Sequence, residues 1–292
     1  MAYRVLMALV AVMLSESCAP AIHVRPRIDP VLYPEPRQNA ITFWGHACAY
    51  IDVGGVGIVT DPVFAGSYGL VHRRQIPAPP SEAYDRAQVV LLSHAHHDHL
   101  DFGTLARFSP RTAVLCPAPA ARYLKERGIR ARVMRPGSEY RFAGGTITAV
   151  AAHHPGGRLS MKARSDGRAL GYVIRTDSVR IFYSGDTEYF PELAAIGLKY
   201  APDIVLLNVN RHLHSKDALH AVKDLRAPLV VPMHFGAYSG SNARLGRKWR
   251  AELVRALGPI VAPLEVGAAL PIPHLKPENT AVQGDTASCF AR

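Results

Sequence analysis

Four histidines and two aspartates occur within the nine residues SHAHHDHLD, Ser93–Asp101. Their order is H-x-H-x-D-H, formed by His94, His96, Asp98 and His99. The stretch follows AQVVLL, an apolar run that predicts a buried strand, so the donors are expected on a loop at its end. Imidazole nitrogen and carboxylate oxygen are good ligands for zinc, iron or manganese. Structural zinc sites are usually rich in cysteine, so this donor set favours a catalytic metal site.

Three further predicted strands also end in residues that can bind a metal. His153 and His154 follow TITAVAA, Asp186 lies in YSGDT, and His234 lies in VPMHF. Four strand ends that each deliver histidine or aspartate are hard to explain by chance. We therefore expect these side chains to form one centre with the H-x-H-x-D-H loop.

These motifs resemble those of the metallo-β-lactamase superfamily, from about Ile41 to Pro271. FWGHACAYIDVGGVGIVTDPVF, AAHHPGGR, IFYSGDTEY and VPMHFGAY are similar to one branch of it. That branch contains N-acylphosphatidylethanolamine-hydrolysing phospholipase D and relatives of ascorbate-6-phosphate lactonase. The tryptophan-rich stretch of the phospholipase D members is replaced here by ALGYVI. The resemblance implies an α/β protein with the four-layer αβ/βα sandwich of the superfamily.

The resemblance also implies two divalent metal ions, expected to be zinc, with manganese and iron as the alternatives. Three residues would hold the first ion, three the second, and one would bridge them: His94, His96 and His154; Asp98, His99 and His234; and Asp186. The choice of His154 rests on AAHHPGGR, since the phospholipase-like histidine lies four residues before an arginine, here Arg158. The H-x-P-G pattern of glyoxalase-type members would choose His153 instead.

Three residues outside this ligand set are also expected at the site. His46 and Asp61, from the N-terminal hairpins, are expected to orient ligands; the alternatives are a buried hydrogen-bonded histidine and a turn-capping aspartate. The resemblance places a histidine three residues before SKDA, Ser215–Ala218, which is His212. It would polarise the substrate or protonate the leaving group. An alignment shifted by two residues would choose His214 instead. With Asp98 and Asp186, His212 completes the predicted catalytic set.

The elements that must position these residues follow from short apolar segments. Strands are predicted at AITFW, AYIDV, VGIVTD, AQVVLL, TITAVAA, APDIVLLNVN and PLVVPMHF, and ALGYVIRTDSVRIFYSGDT predicts a hairpin. Helices are predicted at APAARYLKERGI, Lys216–Leu225 and NARLGRKWRAELVRAL, and a loop at SYGLVHRRQIPAPPSEAY. Gly54–Gly55 predicts a hairpin turn. The hydrolase domain is expected over 40–272, after an extended lead-in at 22–39 and before a loosely ordered tail at 273–292.

Residues 1–21 predict an export signal. Arg4 provides a positive start, and Val5–Leu14 is an apolar run of ten residues, short for a membrane span. Ala19–Ala21 has the small-x-small form of a signal-peptidase site, and lipidation of Cys18 is the alternative. We therefore expect a periplasmic protein or one anchored by lipid at the cell envelope.

The formal net charge is +11, which favours anionic partners. No basic run typical of nucleic-acid arms is present, so the expected partner is an anionic small molecule or a phospholipid, with association to a membrane surface. The four cysteines are scattered and do not predict a disulfide framework. The sequence does not indicate an oligomeric state.

These features predict a binuclear metal-dependent hydrolase of the phospholipase D type. In this hypothesis a hydroxide shared by the two metals attacks a phosphodiester, and the positive charge of the site stabilises the transition state. One alternative is hydrolysis of a lactone or carboxylic ester at the same site. The other is a lipid- or metal-binding protein without catalysis.

Overall fold

The computed structural model describes residues 38–68, 72–155 and 168–272. The signal segment, the tail, Arg158 and all but the last two residues of the lead-in lie outside the described residues, so the expectations about them stay predictions. Within the described ranges no helix combines the length and apolar character needed to cross a membrane.

Seven strands form the first sheet: β1 Ala40–Gly45, β2 Cys48–Val53, β3 Val56–Thr60, β6 Ala87–Leu91, β7 Ala113–Pro117, β8 Arg132–Met134 and β15 Ala269–Pro271. Their spatial order is β15-β1-β2-β3-β6-β7-β8. Strands β15, β1, β2 and β3 pair antiparallel, and β3, β6, β7 and β8 pair parallel. Two short strands, β4 Ser67–Tyr68 and β5 His72–Arg73, form a separate ribbon.

Six strands form the second sheet: β9 Glu139–Phe142, β10 Gly145–Ala151, β11 Leu170–Thr176, β12 Arg180–Tyr183, β13 Ile204–Asn208 and β14 Leu229–Met233. Strands β9 to β12 pair antiparallel, and β12, β13 and β14 pair parallel. The helices are α1 Ser81–Asp85, α2 Phe102–Leu105, α3 Ala118–Lys125, α4 Leu193–Tyr200, α5 Ser215–Leu225 and α6 Ser241–Leu257, followed by a 3₁₀ turn at Gly258–Ile260.

Alternation along the strands divides the apolar side chains into three cores. Ile58 of β3 and Leu206 of β13 belong to the core between the two sheets. Their neighbours Val59 and Val205 point to the outer faces, where Val59 shares a core with α1, α2 and α3, and Val205 with α4, α5 and α6. Because these strands are buried on both faces, their sequences are continuous apolar runs. The expected four-layer αβ/βα sandwich is confirmed.

Most predicted elements are present at the predicted places. Gly54 and Gly55 have φ values of 64° and 80° and join β2 to β3, as a tight hairpin turn requires. Cys48 and Cys116 are buried free thiols. The predicted loop SYGLVHRRQIPAPPSEAY was wrong in part, because it contains β4, β5 and most of α1. Helix α4 was not predicted, since LAAIGLKY is apolar around most of its circumference and carries Gly197.

Gly197 controls the approach of α4 to α5. A Cβ there would overlap the carbonyl oxygen of Asp224 and lie 2.8 Å from Cα of Leu225. We expect Gly197→Ala to lower the free energy of unfolding by about 1–3 kcal/mol, because the helices must separate. Urea unfolding measures this loss. Gly66→Ala is the matched control, because nothing lies within 4 Å of its Cβ position. Equal stability of the two variants would contradict the prediction.

Candidate metal centre

The carboxyl ends of strands from both sheets meet at one edge of the sandwich. From the first sheet, β1 leads into His46, β3 into Asp61, and β6 into the loop Ser93–His99. From the second sheet the strand ends of β10, β12 and β14 lead into three further predicted ligands: His154, Asp186 and His234. The structure therefore brings together all seven predicted ligands and both predicted supporting residues.

Three histidine nitrogens form the first donor cluster. Nε2 of His94 lies 2.9 Å from Nδ1 of His96, and Nε2 of His154 lies 3.3 Å from the same Nδ1. All three nitrogens lie within 4.8 Å of one another. Ligands bound at about 2.0–2.1 Å around one zinc ion are separated by comparable distances. The cluster therefore fits a single divalent ion.

His99, His234 and Asp98 form the second donor cluster. The Nε2 atoms of His99 and His234 are 3.2 Å apart, and Oδ2 of Asp98 lies 3.9 Å and 3.8 Å from them. His46 lies beside this cluster, with Nε2 3.3 Å from the same Asp98 oxygen. This contact suits the predicted role of His46 in orienting Asp98, and it also places the His46 nitrogen within reach of an ion in this cluster.

The Asp186 carboxylate lies between the two clusters. Its Oδ2 atom is 3.4 Å from Nε2 of His99 and 4.0 Å from Nε2 of His154. Its Oδ1 atom is 3.4 Å from Nε2 of His234 and accepts a hydrogen bond from Nδ2 of Asn208 at 3.0 Å. A carboxylate that bridges two ions must reach both donor clusters, and Asp186 has this position.

The two neighbouring histidines at the end of β10 face different surroundings. The side chain of His154 is 1% exposed and points into the first cluster. The side chain of His153 is 35% exposed, and its Nδ1 lies 3.3 Å from Oε2 of Glu188. The geometry thus supports His154 as the ligand.

The protonation states of three buried histidine ligands suit metal binding. Burial lowers the pKa of His154 and of His234 to about 3, and it lowers the pKa of His94 well below its usual value. These rings are therefore neutral at pH 7 and can offer lone pairs. Burial alone would raise the pKa of Asp186, but His234 and His99 outweigh it and hold that pKa well below its usual value. Burial alone would lower the pKa of His99, but Asp186 and Asp98 outweigh it and hold that pKa well above its usual value, so an ion in the second cluster would displace a proton from His99. The donors thus fit two cations, which would accept the converging lone pairs.

Asp61 supports the second cluster through a hydrogen bond to its ligand His99. Its Oδ2 atom accepts hydrogen bonds from Nδ1 of His99 at 2.6 Å and from the Tyr183 hydroxyl at 2.6 Å. The same carboxylate accepts bonds from the backbone N–H and the hydroxyl of Ser93. With Nδ1 of His99 donating to Asp61, Nε2 of His99 is free for an ion. This arrangement supports the predicted orienting role of Asp61.

Strained backbone occurs at the residues that form the site. Six described residues other than glycine have positive φ, and three of them are His46 at 58°, Asp61 at 31° and His234 at 78°. The backbone of His46 makes two hydrogen bonds to the His234–Phe235 segment, from His46 N to Phe235 O and from His234 N to His46 O, both 2.6 Å. Such conformations cost about 1–3 kcal/mol each and persist only where surrounding structure imposes them.

His212 lies against the outer side of the first cluster. Its ring centroid is 4.7 Å from that of His154, at an interplanar angle of 85°. Its backbone N–H donates to Oδ1 of Asn210 at 2.8 Å, which fixes the turn that presents the ring. His214 is exposed and pairs with Asp217 at 3.2 Å, away from the clusters. The structure places His212, and not His214, beside the donors.

Sequence reasoning missed several residues that complete the site. Ser93 and Tyr183 bind Asp61, Asn208 binds Asp186, and Glu188 contacts His153 and His212. Ser93 opens the H-x-H-x-D-H stretch and Glu188 follows Asp186 by two residues, so closeness to the motifs was a usable signal for both. Tyr183 is the first residue of YSGDT and carried the same signal, whereas Asn208 lies at the end of β13 without one.

The chain belongs to the β-lactamase superfamily, since the model of the "Beta-lactamase superfamily domain" matches residues 57–235, more than half of its length. A UPF0173 metal-dependent hydrolase of Methanoculleus marisnigri is 30% identical over 236 residues, with 80% of this chain and 96% of the relative covered. Another, from Thermoplasma volcanium, is 31% identical over 203 residues, with 68% and 84% covered. Family, fold and donor clusters define the protein as a metal-dependent hydrolase.

Solved structures share the fold at lower identity. An isothiocyanate hydrolase from Delia radicum gut bacteria matches with a TM-score of 0.64 and 22% identity, covering 79% of this chain and 98% of that one. Igni18, a metallo hydrolase from Ignicoccus hospitalis, matches with a TM-score of 0.61 and 24% identity, covering 79% and 97%. These likenesses show the fold alone. The phospholipase D and lactonase branch stays a prediction.

The different surroundings of His153 and His154 lead to a prediction about metal content. We expect the unchanged protein to retain about two divalent ions per chain, and His154→Gln to retain about one, because the first cluster loses a nitrogen. Elemental analysis after dialysis measures the content. His153→Gln is the matched control and should keep both ions. Loss of an ion from His153→Gln alone would reverse the ligand assignment.

Asp61→Asn tests the support beneath the second cluster. The Asp61 carboxylate accepts hydrogen bonds from three side-chain donors. The amide of asparagine has an NH₂ group in place of one oxygen, so one of these buried donors loses its acceptor. We expect a loss of about 1–3 kcal/mol in stability and a 10–100-fold weaker affinity for one ion. Chelator competition and urea unfolding measure the two effects. Unchanged affinity in the folded variant would show that Asp61 does not act on the metal.

Proposed function

We propose that the protein is a binuclear phosphodiesterase of the phospholipase D type. The observation that carries this proposal is the Asp186 carboxylate between two donor clusters, each of which fits one divalent ion. When bound, two such ions supply a water-derived nucleophile at neutral pH and stabilise negative charge on the reacting group. Zinc is the proposed metal because the first cluster offers only imidazole nitrogens.

Charge favours an anionic substrate. The described clusters contribute two carboxylates, Asp98 and Asp186, against two divalent ions, so the loaded site keeps positive charge. A phosphodiester brings one negative charge and gains another in its transition state, which this site would stabilise. An ester or lactone starts neutral, so its transition state carries only one negative charge in total. The excess positive charge of the loaded site therefore fits a phosphodiester better.

The residues of this chain divide the remaining work. Asp61 and His46 hold His99 and Asp98 in place, and Asn208 fixes the Asp186 carboxylate through a 3.0 Å hydrogen bond. His212 stands beside the first cluster, where its ring can protonate the leaving oxygen. The proposed substrate is a phospholipid at the cell envelope, which agrees with the +11 net charge and the predicted export signal.

Phospholipid turnover tests the proposal. The zinc-loaded protein is incubated with mixed bacterial phospholipids that include N-acylphosphatidylethanolamine, and mass spectrometry follows phosphatidic acid. We expect product from the unchanged protein and at least a 100-fold loss in Asp186→Ala, because both ions lose a shared ligand. Asp177→Ala, in the exposed β11–β12 turn, is the matched control and should retain full activity.

The outcome separates the alternatives. Phosphatidic acid from the unchanged protein and not from Asp186→Ala supports a phosphodiesterase of the phospholipase D type. No phosphatidic acid from a protein that holds two ions would exclude the lipid substrate. Activity on lactones or carboxylic esters would then support the second hydrolase hypothesis, and lipid binding without any turnover would support a non-catalytic protein.

A further inference from the structure

Glu188 lies between two histidines at the rim of the metal centre. Its Oε2 atom is 3.3 Å from Nδ1 of His153, and its Oε1 atom is 3.7 Å from Nδ1 of His212. Glu188 does not belong to either donor cluster found among the described residues. Its carboxylate therefore acts on the histidines outside the clusters and not on the ions.

The backbone holds these three residues at one place. Glu188 N donates to His153 O at 2.9 Å, and His153 N donates to Oγ1 of Thr187 at 3.0 Å. The turn at Asn210 fixes His212 from the other side. The juxtaposition is thus built by hydrogen bonds from main-chain N–H groups and does not depend on the three side chains alone.

Exposure shows that a substrate can reach this rim. The side chains of Glu188, His153 and His212 are 36%, 35% and 33% exposed, whereas that of the ligand His154 is 1% exposed. The His212 ring nevertheless packs edge-on against His154, with centroids 4.7 Å apart. A group bound at the first cluster would therefore lie beside His212, with Glu188 behind that ring.

We propose that Glu188 is a positioning residue that sets the orientation of the His212 ring. Its carboxylate accepts the Nδ1–H of His212, so that the Nε2–H of the protonated ring faces the substrate. The present separation of 3.7 Å is an ion-pair distance longer than a hydrogen bond. Catalytic hydrogen bonds are often long in ligand-free structures and shorten when substrate binds.

This inference rests on the proposed function and defines the proton transfer in it. The bond between the reacting centre and the leaving oxygen breaks, and its electron pair stays on that oxygen. The oxygen takes the proton from Nε2 of His212, and water supplies the new oxygen of the product and releases one proton to solvent. His212 regains a proton from solvent before the next turnover, so no oxidant or reductant is needed.

Leaving groups distinguish this role from a structural one. An alkoxide needs a proton as it departs, whereas p-nitrophenolate leaves without one. We expect Glu188→Gln to lower kcat about 10–100-fold on alkyl phosphodiesters, with little change in KM, and less than about 3-fold on p-nitrophenyl phosphodiesters. Matched carboxylic esters with the same two leaving groups are measured in parallel. Glu192→Gln, an exposed glutamate at the start of α4, is the matched control and should behave as the unchanged protein.

A double-mutant cycle identifies the histidine through which Glu188 acts. We expect Glu188→Gln with His212→Gln to lose no more activity than His212→Gln alone, because residues that act as a unit are not additive. His153→Gln should leave the effect of Glu188→Gln in place. Additive losses with His212→Gln, or equal losses on both leaving groups, would overturn the inference.

A readout without turnover separates this inference from the proposed function. Nitrogen-15 NMR of the zinc-loaded protein, with His212→Gln to assign the ring, should show Nδ1 of His212 as a hydrogen-bonded N–H, and Glu188→Gln should shift that signal. If the unchanged protein cleaves none of the esters, the proposed function fails and this signal still decides on Glu188. An unaltered His212 spectrum in a folded Glu188→Gln protein with both ions would refute the positioning role.

Discussion

The metal centre depends on one buried carboxylate. Asp61 binds Ser93 and His99 from the loop after β6, and it binds Tyr183 of β12 in the other sheet. A buried charge is costly unless it is fully hydrogen-bonded, so these bonds offset its burial and tie the two sheets together beneath the ligands. The contact that aligns His99 is therefore also the one that fixes the distance between the strand ends.

The strand ends that turn toward the site contain strained backbone, which lowers stability locally. His46, Asp61 and His234 all have positive φ where their side chains enter the site, and the two backbone hydrogen bonds between His46 and the His234–Phe235 segment hold that strain. The aliphatic core between the sheets, including Ile58 and Leu206, supplies the compensating burial. A rigid sandwich thus supports a site whose own residues would not choose these conformations.

Sequence alone predicted the fold and the local part of the site. The ligands from His94 to His99 could be predicted because they share one loop. The strand pattern predicted that the remaining ligands follow the ends of other strands. The rest depends on contacts between distant residues: Tyr183 reaches Asp61 across 122 positions, and its role as a partner follows from sheet packing that no local pattern encodes. Glu188 was missed because a single glutamate after GDT is an ordinary surface residue until His212 is placed beside it.

The Glu188 carboxylate also affects which substrates the site can accept. A free carboxylate beside the first cluster would repel the anionic substrate proposed for this site. Each oxygen of Glu188 faces a histidine, and a protonated ring at either place would offset its charge. The repulsion returns if His212 is removed while Glu188 remains. In the proposed mechanism the carboxylate and the imidazole act as one unit, in which His212 both presents a proton to the substrate and separates Glu188 from it.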